Sequence, residues 1–468
     1  MPKISVIIPC LNSVKYIRET MESLVNQTLS DIEMLVVDAG STDGTLEILR
    51  EYTKSDERVR LMHSDKKSMG YQYNLGIDAS SGEYIGFVET DDYIELTMYE
   101  ELYTEMRANK VDYVKSDFEM FADLQGERLF LRYRPLPPAK RNLYGNVMNI
   151  FDCPGLILKD VNIWNGIYSK DFICAKKIRF NETPGAAFQD IGFVLQTLIY
   201  AANVMYIDRS HYRYRRDNLD SSVFNKNACS YVIWEFEYVL NRFSDSSTEA
   251  YRLCESLVYF RFFESFSNTL RSASLRNDLP PDEVTEKALS FASKFQSAIE
   301  NSEFALRSWV LPGMSRDMSL LINDYKQFCI RAKEIAEHNR KLLYDWVLHL
   351  KQQPEIVLFG AGEIGGSVLC YLRCNGIDIV GFCDNDKQRW GTSYMNRKVF
   401  SPAEAAEKYP NAMYVVSVIE ELSIEIKSQL VKSGINPIKI CSYVNLIAAH
   451  TSFELEVLPK LSISPPIT

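Results

Sequence analysis

Four short strand-like runs, spaced by helical stretches, constrain this chain more than any other feature. They are Ile4–Ile8, Glu33–Val37, Arg60–His63 and Tyr84–Val88. The stretches between them, about Val14–Gln27, Gly44–Tyr52 and Gly70–Ser80, read as helices. In the first, Tyr16-Ile17, Met21 and Leu24-Val25 recur at helical spacing. Ser41-Thr42-Asp43 caps the second. Strands alternating with helices in this way predict a parallel sheet covered on both faces.

The alternation breaks between about residues 120 and 150. Arg132–Arg141 holds Pro135, Pro137 and Pro138 among basic residues and reads as a loop. Helical and strand pieces resume near Leu156 and run to about Val223. Residues 226–352 are helix-like, broken at Pro280-Pro281 and Pro312-Gly313, with Tyr325–Leu350 as one long amphipathic candidate. Pro354 ends that helix, and Glu355–Phe359 opens a second α/β stretch. The tail Leu458–Thr468 carries three prolines and is expected to order only by docking. Three parts are therefore expected, 1–225, 226–352 and 353–468, in line with 468 residues at about 100–200 per domain.

Composition narrows the class. A net charge of −10 argues against a nucleic-acid partner. The ten cysteines include no CxxC pair and read as free thiols in a reducing compartment. Ile4–Ile8 is too short for the core of an export signal, and Val194–Ile207, interrupted by Gln196, Thr197 and Asn203, is too short to span a bilayer. The expected location is the cytoplasm. None of the five histidines sits at metal-ligand spacing, so zinc is not expected.

The residues that carry chemistry stand at strand ends. Glu89-Thr90-Asp91-Asp92 follows Tyr84–Val88, and the C-terminal edges of strands are where open α/β sheets bind ligands. Three adjacent carboxylates repel, and hard oxygen donors suit Mg²⁺ or Mn²⁺ carrying substrate phosphates. An acidic cap on the loop is the plainer alternative. Asp38 ends the second run and shares that sheet edge, where it can accept from a base or ribose; Ser41 and Asp43 read as helix caps.

Together these pieces resemble the inverting glycosyltransferases of family 2, with their A-type nucleotide-sugar fold. The resemblance is carried by Val6–Asn12, Ser23–Thr28, Val37–Gly44, Ala79–Phe87 and Glu89–Asp92, in the family's order and spacing. It implies that Pro9, Asn12 and Asp38 line the nucleotide pocket, that Asp91 coordinates the metal bridging the diphosphate, and that Glu89 lies near ribose and metal. A nucleotide sugar, with a UDP-sugar favoured, is the implied donor. Three departures stand out: Glu89 where Asp is frequent, Leu11 where an aromatic residue is frequent, and Tyr73-Asn74 where Arg-Asn is frequent. Lys66 and Lys67 are possible replacements for the missing cation, or plain loop lysines.

Trp164–Lys170 and Phe188–Phe193 resemble the family's acceptor half. There an acidic pair opens a helix and its Asp is the general base; here Gln189 replaces the Glu and Asp190 is retained. A positioned base contributes about 10²–10⁴-fold. Without the resemblance, Asp190 reads as a charge at a helix N-terminus. Arg209–Arg216 alternates Tyr and Arg at period two, so Arg213 and Arg215 share one strand face that could grip a diphosphate or an anionic acceptor.

In the last stretch, Gly360-Ala361-Gly362-Glu363-Ile364-Gly365 follows a strand, and a second strand, Ile377–Cys383, ends at Asp384, nineteen residues beyond Gly365. This order suits a dinucleotide fingerprint: glycines admit a pyrophosphate to the helix N-terminus, and Asp384 accepts from a ribose hydroxyl. It resembles Rossmann-like nucleotide-binding units attached to bacterial polysaccharide proteins. No Tyr-x-x-x-Lys pair follows, which argues against a complete dehydrogenase. The alternative is that the glycines serve packing in an assembly or regulatory module.

The expectation is therefore a metal-dependent transfer of a hexose, with inversion, to a glycan or lipid-linked acceptor in cell-surface polysaccharide synthesis. Peripheral contact with the inner face of the membrane and a homo-oligomer fit it. The alternative is a catalytically weak, transferase-like scaffold with a nucleotide-sensing C-terminal unit.

Overall fold

In a computed structural model, the described residues are 2–124, 126–186, 188–218, 227–243, 249–276, 280–301 and 319–443. The Pro312-Gly313 break and the tail Leu458–Thr468 lie outside them. Among the described residues the chain forms two compact units. One takes residues 1–118, 134–214 and 222–334, and the other 119–133, 215–221 and 335–468.

The first unit opens as strand and helix in turn: β1 (Ile4–Cys10), α1 (Ile17–Val25), β2 (Ile32–Asp38), α2 (Thr45–Ser55), β3 (Val59–His63), α3 (Met69–Ala79) and β4 (Tyr84–Phe87). β1 and β2 are buried at every position, as strands covered on both faces must be. β1 lies between β2 and β4, and β3 flanks β2, all parallel. Pro9 is tolerated in this central strand for a topological reason. Ile7 C=O takes the Val88 N–H on the β4 side, and Cys10 C=O takes the Ala39 N–H on the β2 side. Pro9 therefore aims its ring nitrogen at the β4 side, beyond the last paired residue, Phe87.

Beyond β4 the sheet changes character. Next come β5 (Tyr93–Ile94), α4 (Met98–Asn109), β6 (Tyr113–Leu124), β7 (Glu127–Tyr133), β8 (Val147–Met148), α5 (Leu156–Lys159), β9 (Gly166–Ser169), α6 (Lys170–Ala175), α7 (Gln189–Tyr200) and β10 (Val204–Arg215). β9 pairs antiparallel with both β4 and β6, and β10 pairs antiparallel with β5 and β8. The order is β3-β2-β1-β4-β9-β6-β10-β5. The sheet is thus mixed, parallel only in the half that the alternation of the first ninety residues describes. Helices α8 (Ala228–Phe243), α9 (Glu249–Arg276) and α10 (Asp282–Asn301) follow in this unit, and α8 and α9 pack against α7. α11 (Tyr325–Lys351) follows, and no described helix is long and apolar enough to cross a membrane.

The second unit has a six-stranded sheet, β11 (Ile356–Phe359), β12 (Gly381–Cys383), β13 (Ser393–Tyr394), β14 (Arg397–Phe400), β15 (Met413–Val416) and β16 (Ile440–Ser442), in the order β13-β14-β12-β11-β15-β16. All but β13 run parallel. Helices α12 (Glu363–Cys374), α13 (Pro402–Lys408) and α14 (Glu420–Lys432) alternate with the strands. β7 belongs to this unit. Glu127, at its start, takes both guanidinium nitrogens of Arg397 at 2.9 Å and Arg373 at 3.1 Å, while Asp378 takes the same two arginines at 2.8 and 2.7 Å.

The first unit also buries an ion pair, Lys115 on β6 with Asp160, 2.7 Å apart and both fully inaccessible. Lys115 also donates to Asn162 C=O, and the Tyr206 hydroxyl donates to Asp160. Breaking such a pair leaves a buried charge uncompensated, at about 3–5 kcal/mol. We expect Lys115→Ala to lower the urea midpoint accordingly, and the double variant Lys115→Met, Asp160→Leu to recover most of the loss.

Candidate active site

Asp38 and Asn12 organise the first corner of the sheet edge. Asp38, at the end of β2, is buried, and its carboxylate accepts from the N–H groups of Gly40 and Ser41 and from the Ser41 hydroxyl. Ser41 Oγ accepts the Asn12 N–H at 2.8 Å, and Asn12 Oδ1 accepts the Thr42 N–H at 2.9 Å. Asn12 is exposed with φ +52°, a left-handed conformation that Asn tolerates. Asp43 caps α2 by accepting from the Thr45 N–H and hydroxyl, and it also holds Val14. Buried Gln72, on α3, donates to Cys10 C=O at 3.0 Å and Val37 C=O at 2.6 Å, tying the ends of β1 and β2 together. Burial pushes the Cys10 thiol up to about 12, so it is inert.

The second corner is the acidic turn. Ligand oxygens of Glu89, Asp91 and Asp92 lie within 4.8 Å of one another. The turn is pinned from behind: the Thr20 hydroxyl donates to Asp92 C=O at 2.6 Å, Ser13 and Thr90 share a hydroxyl bond of 2.7 Å, and Ser23 Oγ accepts the Ile94 N–H. Tyr212, on β10, donates to the Asp92 carboxylate at 2.7 Å and accepts the Glu89 N–H at 3.1 Å. Asp92 is buried and held; Glu89 and Asp91 are partly exposed. Three converging carboxylates are the donor set of a hard divalent cation, and they fit Mg²⁺ or Mn²⁺.

Asp190 stands in the first turn of α7, after Phe188 at φ +68°, a strained conformation for a bulky residue. Burial pushes the Asp190 carboxyl up to about 6, against the Ile191 N–H, the Arg261 guanidinium and the Lys115 ammonium, which lower it. Gln189 is fully buried and donates to the Thr183 and Gly185 carbonyls and the Thr183 hydroxyl; the two carbonyl bonds are ones an ionised Glu could not make. Glu235, on α8, is also buried and carried up to about 8 by that burial. Its Oε1 would lie 1.8 Å from a Cβ on Gly192, so only glycine allows the approach. Arg261 and Glu235 both come from the helical stretch after residue 226.

Pro9, Asn12, Asp38, Glu89 and Asp91 are thus gathered along one edge of the parallel half, and Asp190 acts electrostatically on the same buried hydroxyl as Glu89, that of Tyr73. Arg213 and Arg215 point elsewhere: Arg213 pairs with Glu95 at 2.6 Å, and Arg215 with Asp123 and Asp217 at 3.2 and 3.3 Å. Lys66 pairs with Glu182 at 3.1 Å. Thr20, Gln72, Tyr212, Glu235 and Arg261 escape sequence reasoning; the one signal for them is a polar residue on an otherwise apolar face.

In the second unit the glycine loop is filled by its own chain. Asp384 accepts the Ala361 N–H at 2.7 Å with one oxygen and the Asp386 N–H at 2.8 Å with the other. Arg389 donates to Ala361 C=O, and the Tyr394 hydroxyl to Gly362 C=O at 3.1 Å. Gly360 has φ +110°, and a Cβ on Gly365 would meet Gly360 O at 1.9 Å; a Cβ on Gly362 would meet nothing within 4 Å.

Residues 5–162 match the family Glycosyl transferase family 2, and the chain is a glycosyltransferase that carries this domain at its N-terminus. Residues 352–441 match a second family, C2185-like, N-terminal. Among relatives, the uncharacterized glycosyltransferase YibD of Escherichia coli K12 is 27% identical over 244 residues, 51% of this chain and 68% of its own length. Glycosyltransferase GlyG of Streptococcus pneumoniae is 29% identical over 46% of this chain and 70% of its own. Among solved structures, S. aureus TarS 1-349 in complex with UDP-GlcNAc shares 19% identity at a TM-score of 0.43, covering 69% of this chain and 92% of that one.

Two outcomes follow from the buried carboxyls. A folded-state pKa above the ordinary value of about 4 favours folding while the group is protonated, and that contribution is lost as pH rises through the folded value. Asp190→Asn should therefore hold or raise the melting temperature at pH 7 while abolishing sugar transfer. Glu235→Gln should flatten the decline in melting temperature between about pH 5 and pH 8, followed by calorimetry across that range.

Proposed function

We propose that the first unit binds a nucleotide sugar, a UDP-sugar by preference, together with Mg²⁺ or Mn²⁺, and passes the sugar with inversion to a hydroxyl of a glycan or lipid-linked acceptor. The observation that carries this reading is the convergence of Glu89, Asp91 and Asp92 at the end of β4. Asp91 and Glu89 are the residues that would hold the cation, whose chemistry there is to neutralise charge on the leaving diphosphate. Asp38 and Asn12 shape the loops that receive the nucleotide, and Pro9, next to last in β1, presents no donor on the β4 side that would need pairing.

Asp190 does the proton work. The acceptor oxygen forms a bond to the anomeric carbon as the bond from that carbon to the diphosphate oxygen breaks. The electron pair leaves with the diphosphate, and the acceptor's proton goes to the Asp190 carboxylate. A carboxyl at about 6 is ionised at neutral pH yet basic enough to accept a proton in the transition state. Transfer should accordingly decline below about pH 6 with a slope of one proton, a limb read from kcat/KM against pH.

The product we infer is a cell-surface glycan. For the second unit, the engagement of both Asp384 oxygens favours packing and assembly over dinucleotide binding. Thermal shift with UDP-, GDP-, CDP- and dTDP-sugars, with and without Mn²⁺, tests the whole reading. Ligand at 100 times its Kd stabilises by about 2.7 kcal/mol. A metal-dependent rise with one nucleotide class, lost in Asp91→Ala, is the expected outcome; no rise with any of them overturns it.

A further inference from the structure

Tyr73, on α3, is fully buried in a rigid aromatic box. Its ring stacks on Phe180 with centroids 4.5 Å apart and meets Phe87 edge-on at 5.2 Å. Phe193 closes the box, stacked on Phe180 at 4.3 Å and edge-on to Phe87 at 5.3 Å. Phe87 stands two residues before Glu89, and Phe193 three residues after Asp190. One packed cluster therefore carries the strand end that bears the acidic turn and the helix that bears the base.

Among the described residues the Tyr73 hydroxyl has no hydrogen-bond partner. Buried polar atoms are nearly always paired, so an orphan at this place asks for a cause. Burial first, then Glu89, Asp190, Asp92 and Asp91 in turn, hold the phenol neutral. It is thus a neutral donor, buried within the electrostatic reach of the acidic turn and of Asp190. Tyr99 is the contrast: its hydroxyl is also buried and unpaired, yet burial alone acts on it.

We propose that Tyr73 is a positioning residue whose hydroxyl donates to the Glu89 carboxylate when cation and donor are bound, holding Glu89 in its ligating orientation. Ligating carboxylates are themselves hydrogen-bonded by an outer partner, and loss of that partner typically costs about 10–100-fold in metal affinity or activity. Two of the chain's departures then belong together, since a longer acid at 89 and a neutral donor at 73 replace the more frequent Asp and Arg. The inference rests on the metal-dependent reading above.

The test uses the full chain, with Tyr73→Phe and, as a control, Tyr99→Phe. Mn²⁺ binding is followed by the loss of the free-ion paramagnetic resonance signal with UDP present, and melting temperature is measured without ligands. Tyr73→Phe should melt at or above the wild-type temperature, because it removes an unpaired buried hydroxyl. It should also bind Mn²⁺ about ten-fold or more weakly, with kcat for donor hydrolysis falling in step. Tyr99→Phe should bind Mn²⁺ as the wild type does. Unchanged Mn²⁺ affinity in Tyr73→Phe overturns the inference and leaves the transferase reading standing. A Tyr73→Phe chain that melts lower with normal Mn²⁺ binding, or that does not fold, assigns the hydroxyl to the fold and overturns it as well. Wild-type protein that binds no Mn²⁺ with UDP overturns the metal-dependent reading, and this inference with it.

Discussion

Like charges within 4.8 Å of one another at the end of a strand must be held there by something, and much of this unit supplies the restraint. The backbone of the acidic turn is tied to α1 through Thr20 and Ser23, and one of its carboxylates is tied to β10 through Tyr212. These three bonds come from neutral hydroxyls, which fix positions without adding charge. A divalent cation is what three converging carboxylates would hold, and a cation there would in turn meet the negative charge of a diphosphate. In the second unit a different solution is used: Glu127 and Asp378 are paired by Arg373 and Arg397 in a structural ion cluster.

The remaining restraints come through α3. Gln72 grips the ends of β1 and β2 by their carbonyls, and Tyr73, its neighbour in sequence, joins the aromatic box under β4 and α7. Gly76 lets the helix sit close, since a Cβ there would lie 2.3 Å from Ile7 Cγ2. Residues 72–76, little more than one turn of the helix, thereby reach three strands. Asn74 extends the grip, donating to Phe180 C=O and accepting the Phe180 N–H, which holds the segment that leads into α7.

How much of this is legible in the sequence depends on how local the cause is. The parallel half can be read because each strand and helix carries its own period and its own turn, and Glu89–Asp92 and Asp38 fall at strand ends for the same reason. The antiparallel half is hidden: β9 is four residues, and nothing in Gly166–Ser169 announces that it will pair with both Tyr84–Gly86 and Tyr113–Lys115. The period-two pattern at Arg213 and Arg215 does lie on a strand, but its basic face is spent on Glu95, Asp123 and Asp217. Glu127 likewise reads as a loop acid until Arg397, 270 residues away, is brought to it. Gln72 and Thr20 are invisible because a lone polar residue on a helix usually faces water.

The stretch after residue 226 is the hardest to read and changes the chemistry most. By composition it is helical and nothing more. In the fold, α8 and α9 pack on α7 and bring Glu235 and Arg261 into the electrostatic surroundings of Asp190. Arg261 favours the ionised base. Glu235 acts the other way whenever it is charged, but burial keeps it protonated up to about pH 8, so at neutral pH it is silent. The value near 6 is thus the resultant of burial, which raises it, and of the Ile191 N–H and two buried cations, Arg261 and Lys115, which lower it. Removing the helices would expose Asp190 to water and return it toward an ordinary carboxylate, a poorer proton acceptor at the same position. On the proposed reading of Asp190 as the base, the helical stretch bears on catalysis through the groups it packs around α7, a property no single residue of it announces.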